Sequence, residues 1–85
     1  MKRIKYRLTD KEGVWESSVC VENKRGVLYD VILDENDMTY KVVDFINNNV
    51  YKSIKPSKNF RMLKINVKKR LEELGCEFEY EVRNR

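Results

Sequence analysis

The chain has 85 residues, of which 41% are hydrophobic and 38% are charged, and its formal net charge is +4. This balance excludes a disordered chain. The length predicts one domain spanning residues 1–85, because 85 residues are too few for two hydrophobic cores. No apolar run approaches the length of a membrane span and no signal-peptide core is evident, so we expect a cytoplasmic protein with no membrane partner.

The N-terminal part predicts a three-stranded antiparallel meander. Residues 10–13 and 23–26 both begin with Asp or Asn and end with Gly, which is typical of a type I turn. Alternating apolar residues flank each turn, so each predicts a β-hairpin. The side chains expected to face the core are, strand by strand, Ile4, Tyr6 and Leu8; Trp15, Ser17, Val19 and Val21; and Val27, Tyr29, Val31 and Leu33.

Residues 38–50 fit two different structures. Met38–Val43 is rich in residues that favour strands, but Asp37 could also cap a helix whose apolar side chains form a stripe. Three consecutive asparagines at 47–49 are poor helix formers, which favours the strand. The longest irregular stretch is then expected at Asn47–Ser57, before the helix.

After the single proline, the sequence predicts a long amphipathic helix over residues 58–74. Ser57 is the expected N-cap, and Gly75 is expected to end the helix. Apolar side chains recur at helical spacing between these two positions. The residues of this stripe are Phe60, Leu63, Val67, Leu71 and Leu74.

A final strand is expected directly after Gly75, with apolar residues from Cys76 to Val82 alternating with glutamates. Its acidic face matches the basic face of the first strand, so we expect these two strands to be neighbours. The predicted fold class is α+β. It has a small antiparallel sheet of four to five strands, made of the N-terminal meander plus the C-terminal strand, with the helix packed on one face.

The sequence offers little for catalysis. It contains no histidine, three scattered glycines and two separated cysteines, so the common general base, phosphate loops and zinc sites are not expected. Cys20 and Cys76 are expected to be reduced thiols. We therefore expect a protein that is not an enzyme and has no metal, cofactor or small-molecule substrate.

The most unusual feature is the distribution of charge. Residues 45–71 contain no acidic side chain but eight basic ones, which is typical of a surface that binds a phosphate backbone. We therefore predict a small non-enzymatic accessory or regulatory protein that contacts nucleic acid, or a complex that processes it, through a basic loop and helix at residues 52–70. The predicted nucleic-acid contacts are Lys52, Lys55, Lys58, Arg61, Lys64, Lys68 and Lys69.

An acidic protein surface would account for the same charges. Met62 and Ile65 point away from the apolar stripe, and a surface that mixes Met, Ile and Lys is typical of a protein interface. The alternative function is therefore a protein–protein interaction module, acting as a homodimer or as an inhibitor or modulator of a host protein. Lysine, asparagine and isoleucine supply 24 of the 85 residues, an AT-rich codon usage consistent with a low-GC bacterium or one of its phages.

Overall fold

The computed structural model describes residues 4–77 and has the predicted α+β architecture, with one helix packed on an antiparallel sheet. The sheet has six strands within these residues, slightly more than expected. The elements in chain order are β1 (Tyr6–Leu8), β2 (Val14–Ser17), β3 (Val21–Glu22), β4 (Leu28–Asp34), β5 (Thr39–Asp44), β6 (Asn49–Lys52) and α1 (Phe60–Glu73).

The strands follow the chain order across the sheet, as in a meander. The spatial order is β1-β2-β4-β5-β6, and β3 pairs with β4 beside β2. Gly13 and Gly26 have positive φ values of 77° and 83°, which confirms the conformational role expected of glycine at the end of the two turns. The N-terminal meander is therefore formed as predicted.

The second predicted strand is interrupted, which produces one of the extra strands. Glu16 pairs with Ile32 and Val21 pairs with Tyr29, so four residues lie opposite two. At the interruption, the Ser17 hydroxyl accepts a hydrogen bond from the backbone N–H of Val31 at 3.1 Å. Side chains alternate between the two faces of a strand, and an even number of extra residues leaves this alternation unchanged. The inward-facing positions of β2 therefore continue into β3.

Two residues expected to face the core are exposed instead. Val19 lies in the interruption and is 72% exposed, because the extra residues bulge away from the ladder. Leu8, at the end of the edge strand β1, is 60% exposed. The other predicted inward positions of the meander are buried or half-buried.

Residues 39–52 form a hairpin. The strand interpretation of this region is confirmed by β5, but the expectation of an irregular stretch from Asn47 is wrong for β6, which pairs with β5. The turn depends on Asp44, whose carboxylate accepts hydrogen bonds from the backbone N–H groups of Ile46 and Asn47 at 3.2 and 3.1 Å. Asn48 adopts a φ of 58°, a conformation that asparagine tolerates well.

The helix begins two residues later than expected. Asn59 is the N-cap, and its side-chain oxygen accepts a hydrogen bond from the backbone N–H of Met62 at 2.8 Å. The predicted cap, Ser57, instead accepts a hydrogen bond from the side chain of Asn66 at 2.9 Å. Gly75 ends the helix with a φ of 98°, as predicted.

The core lies between one face of the sheet and the predicted stripe of α1. Its fully buried members come from three elements, with the helix contributing three of them. They are Val31, Leu33, Val42, Leu63, Val67 and Leu71. The opposite face of the sheet is not covered by any element of residues 4–77 and carries most of the charged side chains of the central strands.

The chain after the helix returns to the sheet. Cys76 is buried and forms an antiparallel bridge with Asn23. Cys20 and Cys76 do not form a disulfide, and Cys20 is exposed. The rest of the predicted final strand, residues 78–85, lies outside the described residues, as does most of its expected charge pairing with the first strand. Of the described partners, Arg7 pairs with Glu16 and Glu77 pairs with Lys24.

Candidate nucleic-acid interface

The outer side of α1 carries three of the seven predicted contacts. Successive helical residues are separated by about 100°, so Arg61, Lys64 and Lys68 lie along one flank of the buried stripe. Arg61 and Lys64 are exposed and Lys68 is half-buried. The burial of the stripe therefore fixes the direction in which these three charges point.

Aromatic contacts hold one end of this flank. The ammonium group of Lys64 lies 5.2 Å from the centroid of the Phe60 ring, within the range of a cation–π interaction. The Phe60 ring in turn contacts Trp15, with 5.7 Å between the ring centroids. Trp15 donates a hydrogen bond to Glu35 at 2.9 Å, so this end of the helix is connected to the sheet.

Two of the three charges on this flank, those of Arg61 and Lys64, have no carboxylate partner among residues 4–77. Among residues 4–77, no carboxylate lies within 4.0 Å of the charged group of Arg61 or Lys64; the ion pairs join Arg7 to Glu16, Lys24 to Glu77 and Arg70 to Glu73. Cationic side chains without internal partners keep their attraction for external anions. Arg61 and Lys64 therefore favour an anionic partner.

A second group of basic residues lies on the other flank of α1. Lys55 and Lys69 line a groove of about 300 Å³ between the loop after β6 and the C-terminal half of the helix. Arg70 lines the same groove and makes an ion pair with Glu73 at 3.4 Å. A hydrogen bond with Tyr40 raises the pKa of Arg70 above its ordinary value.

Lys52 lies apart from both groups. It is paired with Lys41 across β5 and β6, and both point to the sheet face opposite the helix, because their neighbours Val42 and Tyr51 point inward. Lys58 is exposed in the loop directly before the N-cap. The predicted set is thus divided between the helix, the groove and the open sheet face.

The two predicted interface residues differ in exposure. Ile65 is 38% exposed on the outer side of the helix, whereas Met62 is half-buried. More exposed apolar side chains occur elsewhere, with Ile54 at 93% on the rim of the groove. Sequence reasoning missed Ile54 because it lies in a short irregular segment that has no periodicity.

The groove also contains residues that sequence reasoning did not assign to a site. Arg70 belongs to the acid-free stretch but lies close to the buried stripe, and Ser53 and Ser57 are ordinary loop residues in the sequence. Their convergence depends on the path of the loop after β6. No local signal in the sequence indicates that path.

The open sheet face has a different electrostatic character. A concavity of about 440 Å³ there is lined by acidic and basic side chains, including Asp34, Lys41 and Glu16. A hydrogen bond with Asp30 and the charge of that carboxylate raise the pKa of Glu16. Within residues 4–77, no three Asp, Glu or Cys side chains are grouped so as to hold a metal ion.

Comparison with protein-family models, with curated proteins and with solved structures found no match for this chain. The 14-residue helix α1, the one helix of residues 4–77, is too short and too polar to cross a bilayer.

Proposed function

We propose that this chain is a small non-enzymatic accessory or regulatory protein that contacts nucleic acid, or a complex that processes it, through the outer side of α1. Arg61, Lys64 and Lys68 are the central contacts, and Lys58 extends the surface towards the loop. Lys55 and Lys69 supply further positive charge on the adjoining flank.

One observation carries the proposal. Arg61 and Lys64 lie on a helix whose inner side is completely buried, and no carboxylate of residues 4–77 pairs with either charge. Neutralising phosphates with such residues releases counterions from the nucleic acid, which favours binding. Positions on a helix also have less freedom than positions on a loop, so less conformational entropy is lost when phosphates bind.

The test is a titration of fluorescently labelled single-stranded DNA, single-stranded RNA and duplex DNA at several salt concentrations. For a single strand, each phosphate contact contributes about 0.7 to the slope of log K against log salt. The variant R61Q/K64Q should therefore lower that slope by roughly 1.4. Absence of salt-sensitive binding to all three probes would sink the proposal.

The matched control is K41Q/K52Q. It removes the same charge from the opposite face of the sheet, where Lys41 and Lys52 pair across two strands. At physiological salt, charges separated by more than about 8 Å are largely screened from each other. This control should therefore bind like the unchanged protein if the helix is the contact surface.

The second candidate is a protein–protein interaction module centred on Ile65. The observation in its favour is that this apolar side chain is 38% exposed beside the basic residues of the helix. Ile65→Asp should abolish association with a protein partner or a second copy and leave the fold intact. Size-exclusion chromatography with light scattering tests the homodimer, for which a monomer at high concentration is the contrary result.

A further inference from the structure

The groove between the loop after β6 and α1 has an excess of positive charge. Its charged lining consists of Lys55, Lys69, Arg70 and Glu73. The single carboxylate is already engaged by Arg70 at 3.4 Å. Two ammonium groups are therefore left to attract an anion into the groove.

Two hydroxyl groups in the groove have hydrogens to donate. Ser53 accepts a hydrogen bond from the backbone N–H of Tyr40 at 3.2 Å, and Ser57 accepts one from Asn66 at 2.9 Å. Among residues 4–77, neither hydroxyl donates its own hydrogen to an acceptor. A serine hydroxyl can donate one hydrogen bond while it accepts others, so both are available to a ligand.

Arg70 adds to this excess of donors. Its Nε is buried and has no hydrogen-bond partner within residues 4–77, although the guanidinium group is held by Glu73 and Tyr40. A guanidinium group carries five N–H donors, more than the Glu73 carboxylate and the Tyr40 hydroxyl satisfy. The groove thus combines an excess of positive charge with hydrogen-bond donors that lack acceptors.

We propose that this groove binds a phosphate group, with Lys55 and Lys69 as the charged contacts and the hydroxyls of Ser53 and Ser57 as hydrogen-bond donors. Phosphate fits because it combines negative charge with several acceptor oxygens, and charge-assisted hydrogen bonds to such oxygens are the strong ones. The phosphate can belong to the end of a nucleic-acid strand or to a small phosphorylated molecule. The first source rests on the proposed function; the second does not.

The first experiment titrates ¹⁵N-labelled protein with inorganic phosphate at constant ionic strength and follows the backbone amide signals by NMR. Saturable shifts should appear in residues 53–57 and 66–70. The variant K55Q/K69Q should weaken this binding at least about tenfold, because it removes both charged contacts. The equal-charge control K41Q/K52Q should change it by less than about twofold, since these side chains lie on the sheet face opposite the helix.

Unchanged amide signals in the sheet show that each variant is folded. Absence of saturable shifts in the groove would overturn the proposal, as would equal weakening by both double variants. In either case nucleic-acid binding by the helix could still be observed in the salt titration. Conversely, phosphate binding without any binding of oligonucleotides would reject the proposed function and retain the groove.

The second experiment compares one single-stranded oligonucleotide with a 5′-phosphate or with a 5′-hydroxyl. If the source is the end of a strand, the phosphorylated form should bind about tenfold more tightly, and K55Q/K69Q should abolish the difference. Equal binding of both forms, together with the NMR shifts, assigns the groove to a small phosphorylated molecule. A preference for the 5′-phosphate that survives in K55Q/K69Q would contradict the groove as the binding site.

Discussion

The two sides of α1 differ in what they contact and therefore in what they contribute. On the inner side, Leu63, Val67 and Leu71 are completely buried against the sheet. On the outer side, Arg61 and Lys64 have no carboxylate partner within residues 4–77. Substitutions on the outer side can therefore be made without disturbing the core, so stability and the proposed binding can be tested separately.

The largest loss of stability is expected on the inner side of the helix, and one residue from each side tests this. Leu63→Ala should lower the free energy of unfolding by about 2–5 kcal/mol, because it leaves a cavity in a close-packed core. Ile65→Ala should change it by less than about 0.5 kcal/mol, since the side chain is partly exposed. Urea denaturation of both variants measures the difference, and similar losses of stability would contradict the separate roles of the two sides.

A smaller effect is expected at the end of the helix. Gly75 has a φ of 98°, so Gly75→Ala should cost about 1–3 kcal/mol through backbone strain. An added Cβ would meet Asn23 at 3.7 Å, an ordinary contact, so strain is the dominant cause. Gly26→Ala should lose a similar amount of stability for the same reason, because Gly26 has a φ of 83° and an added Cβ would also meet its nearest contact at 3.7 Å. A thermal melt in which Gly75→Ala is neutral would contradict this explanation.

The start of the helix should contribute less. Asn59→Ala removes the acceptor for the N–H of Met62 and should cost about 1 kcal/mol, whereas Asn59→Asp keeps the cap. Neither change touches the basic residues of the outer side. Equal unfolding midpoints for the two variants would show that the cap does not stabilise the helix.

The acid dependence of stability should be traceable to the hairpin before the helix. Hydrogen bonds from the side chain and backbone of Asn47 hold the pKa of Asp44 below its ordinary value. The folded state therefore loses stability as the pH falls from about 4 through this lowered pKa. The pKa of Glu16 is raised, so its ionised carboxylate destabilises the folded state. Protonation of Glu16 therefore raises stability as the pH falls, which is the opposite effect.

Asp44→Asn removes the titrating group at the turn. Its melting temperature should therefore fall less between pH 6 and pH 3 than that of the unchanged protein. Parallel pH profiles for the two proteins would contradict the role of Asp44.

Much of the fold could be predicted because its signals are local. The alternation through Tyr29, Val31 and Leu33 and the helical spacing of the stripe each describe one continuous segment. The interruption after Ser17 could not be predicted, since it depends on a hydroxyl replacing a ladder bond to Val31. The turn at Asn48 could not be predicted either, because a run of asparagines argues against a helix but does not distinguish a hairpin turn from an irregular segment.

The site was only partly predictable for the same reason. Helical periodicity placed Arg61, Lys64 and Lys68 on one flank, as the structure has them. The position of Lys52 depends on the pairing of β5 with β6, which the sequence reading did not include. The groove depends on where the following loop returns to the helix, and this contact between distant residues leaves no local pattern.

The most direct test of the central claim is the salt dependence of nucleic-acid binding by R61Q/K64Q and K41Q/K52Q, measured side by side with the unchanged protein. We predict that the helix variant lowers the slope of log K against log salt by roughly 1.4 on a single strand and that the sheet variant leaves it unchanged. Equal slopes for the two variants would contradict the assignment of binding to the outer side of α1.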